Sequence, residues 1–262
     1  MTTPDPKTWR QEFLDCLARR DTLERADFIE EIARLAFAIP EADADACLDR
    51  ETGWLAHREA VTRLYYDHIV AMETQEVARL LGPLRKRGLS YREVASEKGL
   101  VSYLRVADMF EHVDFGRCRR FVMVGCGQLP VTALHVMDRT NVRSMVLLDV
   151  SPRAVKAVEH LRAAYGWDAL EPRLCSGRDF DFRDADVVYI GNMVSPKLET
   201  LQRVLDTAPQ GVQIVLREPY SLGRLWAEKA EAHLPEAVAI VGRGPVSRHL
   251  SRDLYLLRKS RP

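Results

Sequence analysis

Apolar residues follow a helical period in the first part of the chain. Between residues 9 and 17, and again between 28 and 36, they recur at three- and four-residue steps. This spacing is typical of helices with one buried face. Further helices are predicted near 42–48 and over 52–81, where helix-forming residues dominate and glycine is rare. The pattern therefore predicts an all-helical domain over residues 1–115.

A helix start is also encoded in side-chain chemistry near residue 90. Ser90 is followed three residues later by Glu93, which is the arrangement of a capping box at a helix N-terminus. Gly99 is expected to close this helix, and a last helical segment is predicted from Tyr103 to Phe110.

From Arg120 onward, short apolar strands alternate with helices. The predicted strands cover residues 121–124, 145–148, 172–175, 186–190, 211–216, 237–241 and 253–257. The predicted helices cover residues 130–138, 152–165, 197–205 and 222–233. Successive βα units form a doubly wound, mostly parallel sheet, and a final strand without a following helix fits an antiparallel edge. Residues 116–262 are therefore predicted to form a Rossmann-like α/β domain.

Composition excludes several classes of function. The 262 residues include 38 basic and 38 acidic ones, so no net field attracts nucleic acid or an anionic membrane. The five cysteines form no C-x-x-C pair, which argues against a zinc site or a disulfide framework, and no metal is expected. The first residues lack the features of a signal peptide, and no apolar run reaches transmembrane length. We expect a cytoplasmic protein that binds a small molecule, with a homodimer left open.

The strongest chemical signal lies after the first predicted strand. Gly125 and Gly127 form a Gly-x-Gly turn there, and Asp149 ends the second strand 24 residues after Gly125. Glycines let the backbone turn tightly against a ligand, and an acid at this position accepts hydrogen bonds from ribose hydroxyls. The arrangement predicts a site for a nucleoside-bearing cofactor, although a purely structural βαβ turn remains the alternative.

The loop favours S-adenosylmethionine (SAM) over a dinucleotide. Dinucleotide loops place a third glycine five residues after the first, where this chain has Pro130. A proline in the first helical turn leaves fewer N–H groups for a pyrophosphate, whereas SAM carries no phosphate. The loop also differs from that of common methyltransferases, because Met123 replaces an acid and Leu129 replaces the last glycine. SAM is therefore the predicted cofactor, in a fold like that of class I SAM-dependent methyltransferases.

The same residues resemble a known family. The segment 121–132, Phe-Val-Met-Val-Gly-Cys-Gly-Gln-Leu-Pro-Val-Thr, is similar to the Phe-Val-Gly-Ser-Gly-Pro-Leu-Pro-Leu-Thr stretch of nicotianamine synthases. Residues 148–152 resemble the Tyr-Asp-Ile-Asp-Pro that follows in that family, and residues 184–189 resemble its Asp-Tyr-Asp-Val-Val-Phe strand. Relatives of these enzymes include the bacterial ones that build opine metallophores such as staphylopine and pseudopaline. The resemblance extends over roughly residues 60–258.

Three positions depart from the family pattern. Cys126 replaces a serine, Gln128 replaces a proline, and Ser151 replaces the second acid. The loop is still expected to bind the cofactor, and these three positions do not specify the second substrate.

The resemblance implies an unusual use of SAM. Family members transfer its 3-amino-3-carboxypropyl (aminobutanoyl) arm to an amine and release methylthioadenosine. The bacterial branch implies histidine as the acceptor amino acid and a role in metallophore biosynthesis. Two other enzyme reactions remain open from the sequence, namely closure of SAM's own arm to azetidine-2-carboxylate and ordinary methyl transfer. A non-catalytic SAM sensor is the fourth alternative.

Glu76 is the residue predicted to act as the catalytic base. The resemblance matches it to a glutamate that follows a Tyr-Tyr pair, here Tyr65 and Tyr66. Its helical alignment with Met72 and Leu80 is expected to desolvate the carboxylate and raise its pKa. The alternative is an ordinary helix glutamate that forms an ion pair, with Arg79 for example.

The remaining site predictions group by role. Tyr66 and Tyr103 are secondary catalytic candidates, although the absence of a matched motif favours core packing for Tyr103. Tyr65, His68 and Arg217 are candidates for substrate contacts, and one tyrosine of the 65–66 pair is expected to be a core residue. The alternative role of Arg217 is a salt bridge to Glu218 or another neighbouring acid. The residues predicted to bind the cofactor are Gly125, Cys126, Gly127, Leu129, Pro130, Asp149, Val150, Ser151, Asp179, Phe180, Gly191, Asn192 and Met193.

Overall fold

The structure, a computed structural model, describes residues 6–19, 24–48, 55–82, 87–247 and 250–259. In this part of the chain, ten α-helices and a seven-stranded sheet are present. The helices are α1 (Pro6–Ala18), α2 (Arg25–Phe37), α3 (Ala44–Cys47), α4 (Leu55–Leu80), α5 (Tyr91–Val94), α6 (Glu97–Leu104), α7 (Met109–His112), α8 (Val131–Arg139), α9 (Pro152–Tyr165) and α10 (Lys197–Thr207). The predicted start of the long helix at residue 52 lies outside the described residues.

The sheet has the doubly wound topology that the sequence predicts. Its strands are β1 (Arg120–Val124), β2 (Ser144–Asp149), β3 (Leu170–Leu174), β4 (Val187–Ile190), β5 (Gln213–Pro219), β6 (Val238–Arg243) and β7 (Ser251–Arg258). They lie in the order β3-β2-β1-β4-β5-β7-β6. The first five strands are parallel, and β7 runs antiparallel to both β5 and β6. The order in which successive strands are added therefore reverses between β1 and β4, and ligands of open α/β sheets bind at such a switch point.

The central strands are fully buried because helices cover both faces of the sheet. One face packs its apolar side chains against α4 to α9. The other packs against α10 and against residues of the connecting segments, such as Phe180 and Phe182. Continuous apolar runs such as 121–124 are what a strand buried on both faces requires.

The helical part and the sheet part share their apolar cores. Phe28 and Ile32 of α2 pack in one cluster with Leu222, Leu225 and other residues that follow β5. A second cluster joins α4 to the sheet, through residues such as Val77. Apolar packing therefore crosses residue 115, where the sequence predicts a domain boundary, and the division into two domains stays a prediction.

Three local predictions are wrong. Residues 222–233 form two short 3-10 helices, Ser221–Leu225 and Glu231–His233, in place of one α-helix. Gly99 lies inside α6 and does not close a helix, because the helix capped by Ser90 already ends at Val94. The segment predicted as one helix from Tyr103 to Phe110 divides into the end of α6 and the start of α7.

Among the helices of the described residues, none combines the length and the apolar character that crossing a membrane requires.

Candidate active site

The loop after β1 adopts a conformation that requires both of its glycines. Gly125 and Gly127 have φ angles of 73° and 67°, in the left-handed region that favours glycine. A Cβ atom on Gly125 would lie 2.6 Å from Val194 Cγ2, and one on Gly127 would lie 2.7 Å from Glu73 Oε1. The loop is therefore closely packed between the segment after β4 and helix α4.

Asp149 fixes this loop from the end of β2. Its Oδ2 accepts a hydrogen bond from the Gly127 N–H at 2.9 Å, and its Oδ1 accepts one from the Ser151 N–H at 2.9 Å. The Ser151 hydroxyl in turn caps α9 by accepting from the Ala154 N–H. A carboxylate offers about four acceptor positions, so Asp149 keeps capacity for ribose hydroxyls.

Gln128 attaches the loop to α4. Its side-chain Nε2 donates to the Val70 carbonyl at 3.1 Å and to the Thr74 hydroxyl at 3.0 Å. Its backbone N–H donates to Glu73 Oε2 at 2.8 Å. The resembled family has proline at this position. Glutamine supplies a backbone N–H and side-chain donors that proline lacks, and these hold the loop against α4.

Glu73 is the functional candidate that the sequence reasoning missed. Its half-buried carboxylate lies against the loop, and burial raises its pKa to about 7. The negative charge of Asp149 also raises the pKa, while hydrogen bonds from the backbone of Gln128 and Leu129 lower it in part. Glu73 therefore changes protonation state near neutral pH, which is the property that a general base needs.

Helical spacing is the signal that could have identified Glu73. It follows Tyr66 by seven residues, close to two full turns, whereas Glu76 follows Tyr66 by ten. Tyr66 is 48% exposed. Its pKa is raised by partial burial and by the charges of Asp149 and Glu73. Tyr66 and Glu73 therefore share the face of α4 that lies beside the cofactor loop.

Glu76 lies in a different environment. Its carboxylate accepts hydrogen bonds from Arg79 at 2.6 and 2.9 Å and from the Ser96 N–H at 2.9 Å. Burial acts to raise the pKa of Glu76, but these bonds outweigh it and leave the pKa below its ordinary value. The predicted rise in pKa is therefore wrong, and the ion pair with Arg79 is confirmed. Glu76 joins α4 to the start of α6.

Two further candidates, both tyrosines, are packed in the core. Tyr103 is 1% exposed, donates its hydroxyl hydrogen to Asp138 at 3.0 Å and stacks on His135. This is the packing role that the sequence left open for it, away from the loop. Tyr65 is also buried and stacks on Trp226 with ring centroids 4.6 Å apart. Tyr65 is thus the core member of the tyrosine pair, while His68 lies half-buried farther along α4.

Arg217 is not available as a free guanidinium. It is 4% exposed and forms an ion pair with Asp253 at 3.0 Å, and its Nε donates to the Ser251 hydroxyl. The salt-bridge alternative is therefore confirmed, but Asp253 is the partner. Glu218, the adjacent acid, pairs with buried Lys197 at 3.2 Å.

The other predicted cofactor residues surround the carboxyl ends of β1, β2 and β4. Cys126, Leu129 and Pro130 are buried in or just after the loop, which agrees with the interpretation of Cys126 as a small apolar contact. Val150 is 72% exposed after β2. Farther along the same edge, after β3, Asp179 is exposed and Phe180 is buried.

The segment after β4 closes the candidate site. A Cβ atom on Gly191 would lie 3.1 Å from the carbonyl oxygens of Val124 and Gly125, so the two strand ends approach closely here. The buried Oδ1 of Asn192 has no hydrogen-bond partner among the described residues. Met193 packs partly buried against the core. An unpartnered buried acceptor beside the loop indicates a place for a ligand donor.

No family model matches the chain, and no curated protein sequence matches it. Solved structures do match. A glutamate-to-glutamine mutant of MtNAS in complex with S-adenosylmethionine has a TM-score of 0.74 and 13% identity, over 95% of this chain and 98% of that one. MtNAS in complex with MTA and tNA has a TM-score of 0.72 and 13% identity, over 97% of each chain. The mitomycin 7-O-methyltransferase MmcR has a TM-score of 0.50 and 13% identity, over 84% of this chain and 72% of that one.

These matches confirm the predicted similarity to nicotianamine synthases, as a similarity of fold, and the predicted fold class. The helical segment together with the sheet is similar to MtNAS over nearly the whole length of both chains. The similarity to MmcR agrees with a methyltransferase-like sheet. The chain therefore has the fold of nicotianamine synthase structures, with a class I SAM-dependent methyltransferase-like sheet.

Proposed function

We propose that this protein transfers the aminobutanoyl arm of SAM to the amine of an amino acid and releases methylthioadenosine. The observation that carries the proposal is Glu73, a carboxylate with a raised pKa that contacts the glycine loop beside Asp149. The fold shared with MtNAS, a protein crystallised with SAM and with MTA, supports SAM as the co-substrate.

The residues around the loop fit SAM. Gly125 and Gly127 hold the left-handed backbone angles of the tight turn after β1, which is the turn that approaches a bound nucleoside in folds of this kind. Asp149 has acceptor capacity left for ribose hydroxyls. Asn192 Oδ1 can accept a hydrogen bond from the ammonium group of the methionine moiety, which would satisfy this buried acceptor.

Glu73 supplies the proton acceptor for the transfer. The attacking amine forms a bond to the γ-carbon of the arm while the bond from that carbon to sulfur breaks, and the electron pair stays on sulfur. Neutral methylthioadenosine leaves without needing an acid. The amine nitrogen loses one proton, which Glu73 accepts, because a positioned carboxylate with a pKa near the working pH is an effective base.

Tyr66 borders the same face of α4 and is half exposed. We assign it a positioning role beside the amine, because its phenol keeps its proton near neutral pH and can hydrogen-bond a substrate. Orientation matters in this reaction, since SAM offers three electrophilic carbons and geometry selects one of them.

The acceptor proposed here is an amino acid. The resemblance to the bacterial opine-metallophore enzymes implies that histidine is the acceptor and that the reaction belongs to metallophore biosynthesis. Gln128 and Ser151 depart from that family's loop. Gln128 hydrogen-bonds to α4, Ser151 caps α9, and both leave the cofactor loop intact.

The test is to incubate the protein with SAM and a panel of L- and D-amino acids, and to identify the nucleoside and the modified acceptor by mass spectrometry. Methylthioadenosine together with an aminobutanoyl adduct is the expected result. Methylthioadenosine with azetidine-2-carboxylate would indicate cyclisation instead, and S-adenosylhomocysteine would indicate methyl transfer. SAM binding without turnover on any amine would contradict an enzymatic role.

A further inference from the structure

Arg105 is a half-buried arginine without a salt-bridge partner among the described residues. It lies in the turn after α6, and its Nε atom is buried and makes no hydrogen bond within the described part of the chain. Its electrostatic neighbours are Tyr65, Tyr189, Arg217 and Asp253. A buried donor without an acceptor is costly for a folded protein, so the Nε atom of Arg105 requires an explanation.

The acids near Arg105 form ion pairs or hydrogen bonds with other residues. Asp253 forms its ion pair with Arg217 at 3.0 Å and also accepts from the Tyr189 hydroxyl at 3.2 Å. Asp108 accepts a hydrogen bond from Tyr255 at 2.7 Å. Burial and the adjacent Arg217 lower the pKa of Arg105 to about 10, so Arg105 remains charged at neutral pH.

A second unsatisfied donor lies in the same neighbourhood. The Nε1 atom of Trp226 is buried and has no acceptor among the described residues. The Trp226 indole stacks on Tyr65, the same residue whose pKa responds to the charge of Arg105. Tyr65 thus interacts with two residues of different segments, Arg105 and Trp226, and each has a buried donor without an acceptor among the described residues.

The position of this cluster suits a substrate group. Tyr65 precedes Glu73 by eight residues on α4, which is about 12 Å along a helix axis. Tyr189 lies in β4, one residue before the strand end that borders the cofactor loop. Tyr189 also packs in one apolar cluster with Val77 of α4 and Leu129 of the loop, so the neighbours of Arg105 include the face of the sheet that meets α4.

We propose that Arg105, assisted by the Trp226 N–H, binds the carboxylate of the amino-acid acceptor. This inference rests on the proposed transfer reaction, and it assigns to Arg105 the role that sequence analysis considered for Arg217. A carboxylate accepts hydrogen bonds from a guanidinium in a bidentate manner, and such charge-assisted bonds are among the strongest in proteins.

The test compares the best acceptor of the amino-acid panel with its carboxamide, for example L-histidine with L-histidinamide. Wild-type protein is expected to prefer the free acid, and Arg105→Met is expected to raise the KM for that acceptor by about 10- to 100-fold. The preference for the acid over the carboxamide should largely disappear in this variant. Affinity for SAM, measured by titration calorimetry, should stay at the wild-type value.

Two variants separate this role from a structural one. Trp226→Phe keeps an aromatic stack on Tyr65 and removes only the N–H, so a smaller loss of the same preference is expected. Arg119→Met removes an arginine whose side chain is 92% exposed, and it should change neither preference nor SAM affinity. Arg105→Met should fold at least as stably as wild type, because Arg105 forms no ion pair with any of the described residues.

Wild-type discrimination retained in Arg105→Met would overturn the assignment. Loss of SAM affinity in that variant would also overturn it, since the carboxylate bound would then belong to SAM. If wild-type protein releases no methylthioadenosine with any amine, the proposed function fails on its own, and the comparison is made by calorimetric binding of the amino acid and its carboxamide. Equal binding of both ligands by wild type would then refute the role of Arg105.

Discussion

Two consecutive turns of α4 place the same side chain in contrasting surroundings. Glu73 faces the cofactor loop, is desolvated by burial and has Asp149 nearby, so its pKa rises to about 7 despite hydrogen bonds from backbone N–H groups. Glu76 faces the start of α6, pairs with Arg79 and accepts from Ser96, so its pKa falls. Burial acts on both carboxylates, and the presence of a cation decides which one can take up a proton near neutral pH.

The largest expected difference between the two is in catalysis. We predict that Glu73→Gln lowers kcat/KM by about 10²- to 10⁴-fold near pH 7, because glutamine keeps the shape but accepts no proton. The deficit should shrink near pH 9, where more of the amine arrives deprotonated. The matched control is Glu76→Gln, which should stay close to wild-type activity.

SAM binding must be measured in both variants. A thermal shift with SAM equal to that of wild type is expected in each. If Glu73→Gln is as active as wild type at both pH values, or if Glu76→Gln is the inactive one, the assignment of the base is wrong.

The second prediction concerns the stability cost of Glu73. Its folded-state pKa of about 7 exceeds the ordinary 4.5, so the protonated form is favoured in the folded protein and stability falls as pH rises from 4.5 through 7. Glu73→Gln should therefore be more stable than wild type at pH 8, by up to about 3 kcal/mol. The two proteins should be equally stable near pH 4. Chemical denaturation at both pH values measures this difference, and a variant less stable than wild type at pH 8 would contradict it.

Glu76 should show the opposite dependence, with a smaller magnitude. Its folded-state pKa is lowered, so its stabilising contribution is present above the ordinary pKa of 4.5 and is lost as pH falls through the lower folded value. Glu76→Gln should lose about 1–2 kcal/mol of stability at pH 7, because charge-assisted bonds to Arg79 and Ser96 weaken. Denaturation curves of this variant should converge with wild type in acid. A stability gain at pH 7 would show that the ion pair is not stabilising.

The contrast also shows what the sequence could predict. The α/β part was predicted well because buried strands and amphipathic helices have different periods, and α9 begins and ends at the predicted residues, Pro152 and Tyr165. Residues 222–233 were predicted wrongly because tertiary contacts override helix propensity there. Ser221 has a φ of 48°, and a Cβ atom on Gly223 would contact the Leu250 carbonyl.

The site was predicted in part for a similar reason. Gly125, Gly127 and Asp149 could be predicted from the local sequence pattern, because the turn and the strand-end acid belong to one βαβ unit. The choice between Glu73 and Glu76 depends on which face of α4 meets the loop, and the partner of Arg217 lies 36 residues away on β7. Such contacts arise from tertiary packing, which spacing along the chain does not encode.

The central claim, that α4 presents Glu73 to the loop as a carboxylate poised near neutral pH, can be measured directly. Protein with ¹³C-labelled glutamate carboxyl groups is titrated by NMR, and the signals of Glu73 and Glu76 are assigned by their loss in the two glutamine variants. The account predicts that the Glu73 signal titrates at about pH 7 and that the Glu76 signal titrates below the ordinary value of 4.5. A Glu73 signal that titrates at or below 4.5, or a Glu76 signal that titrates near 7, would contradict it.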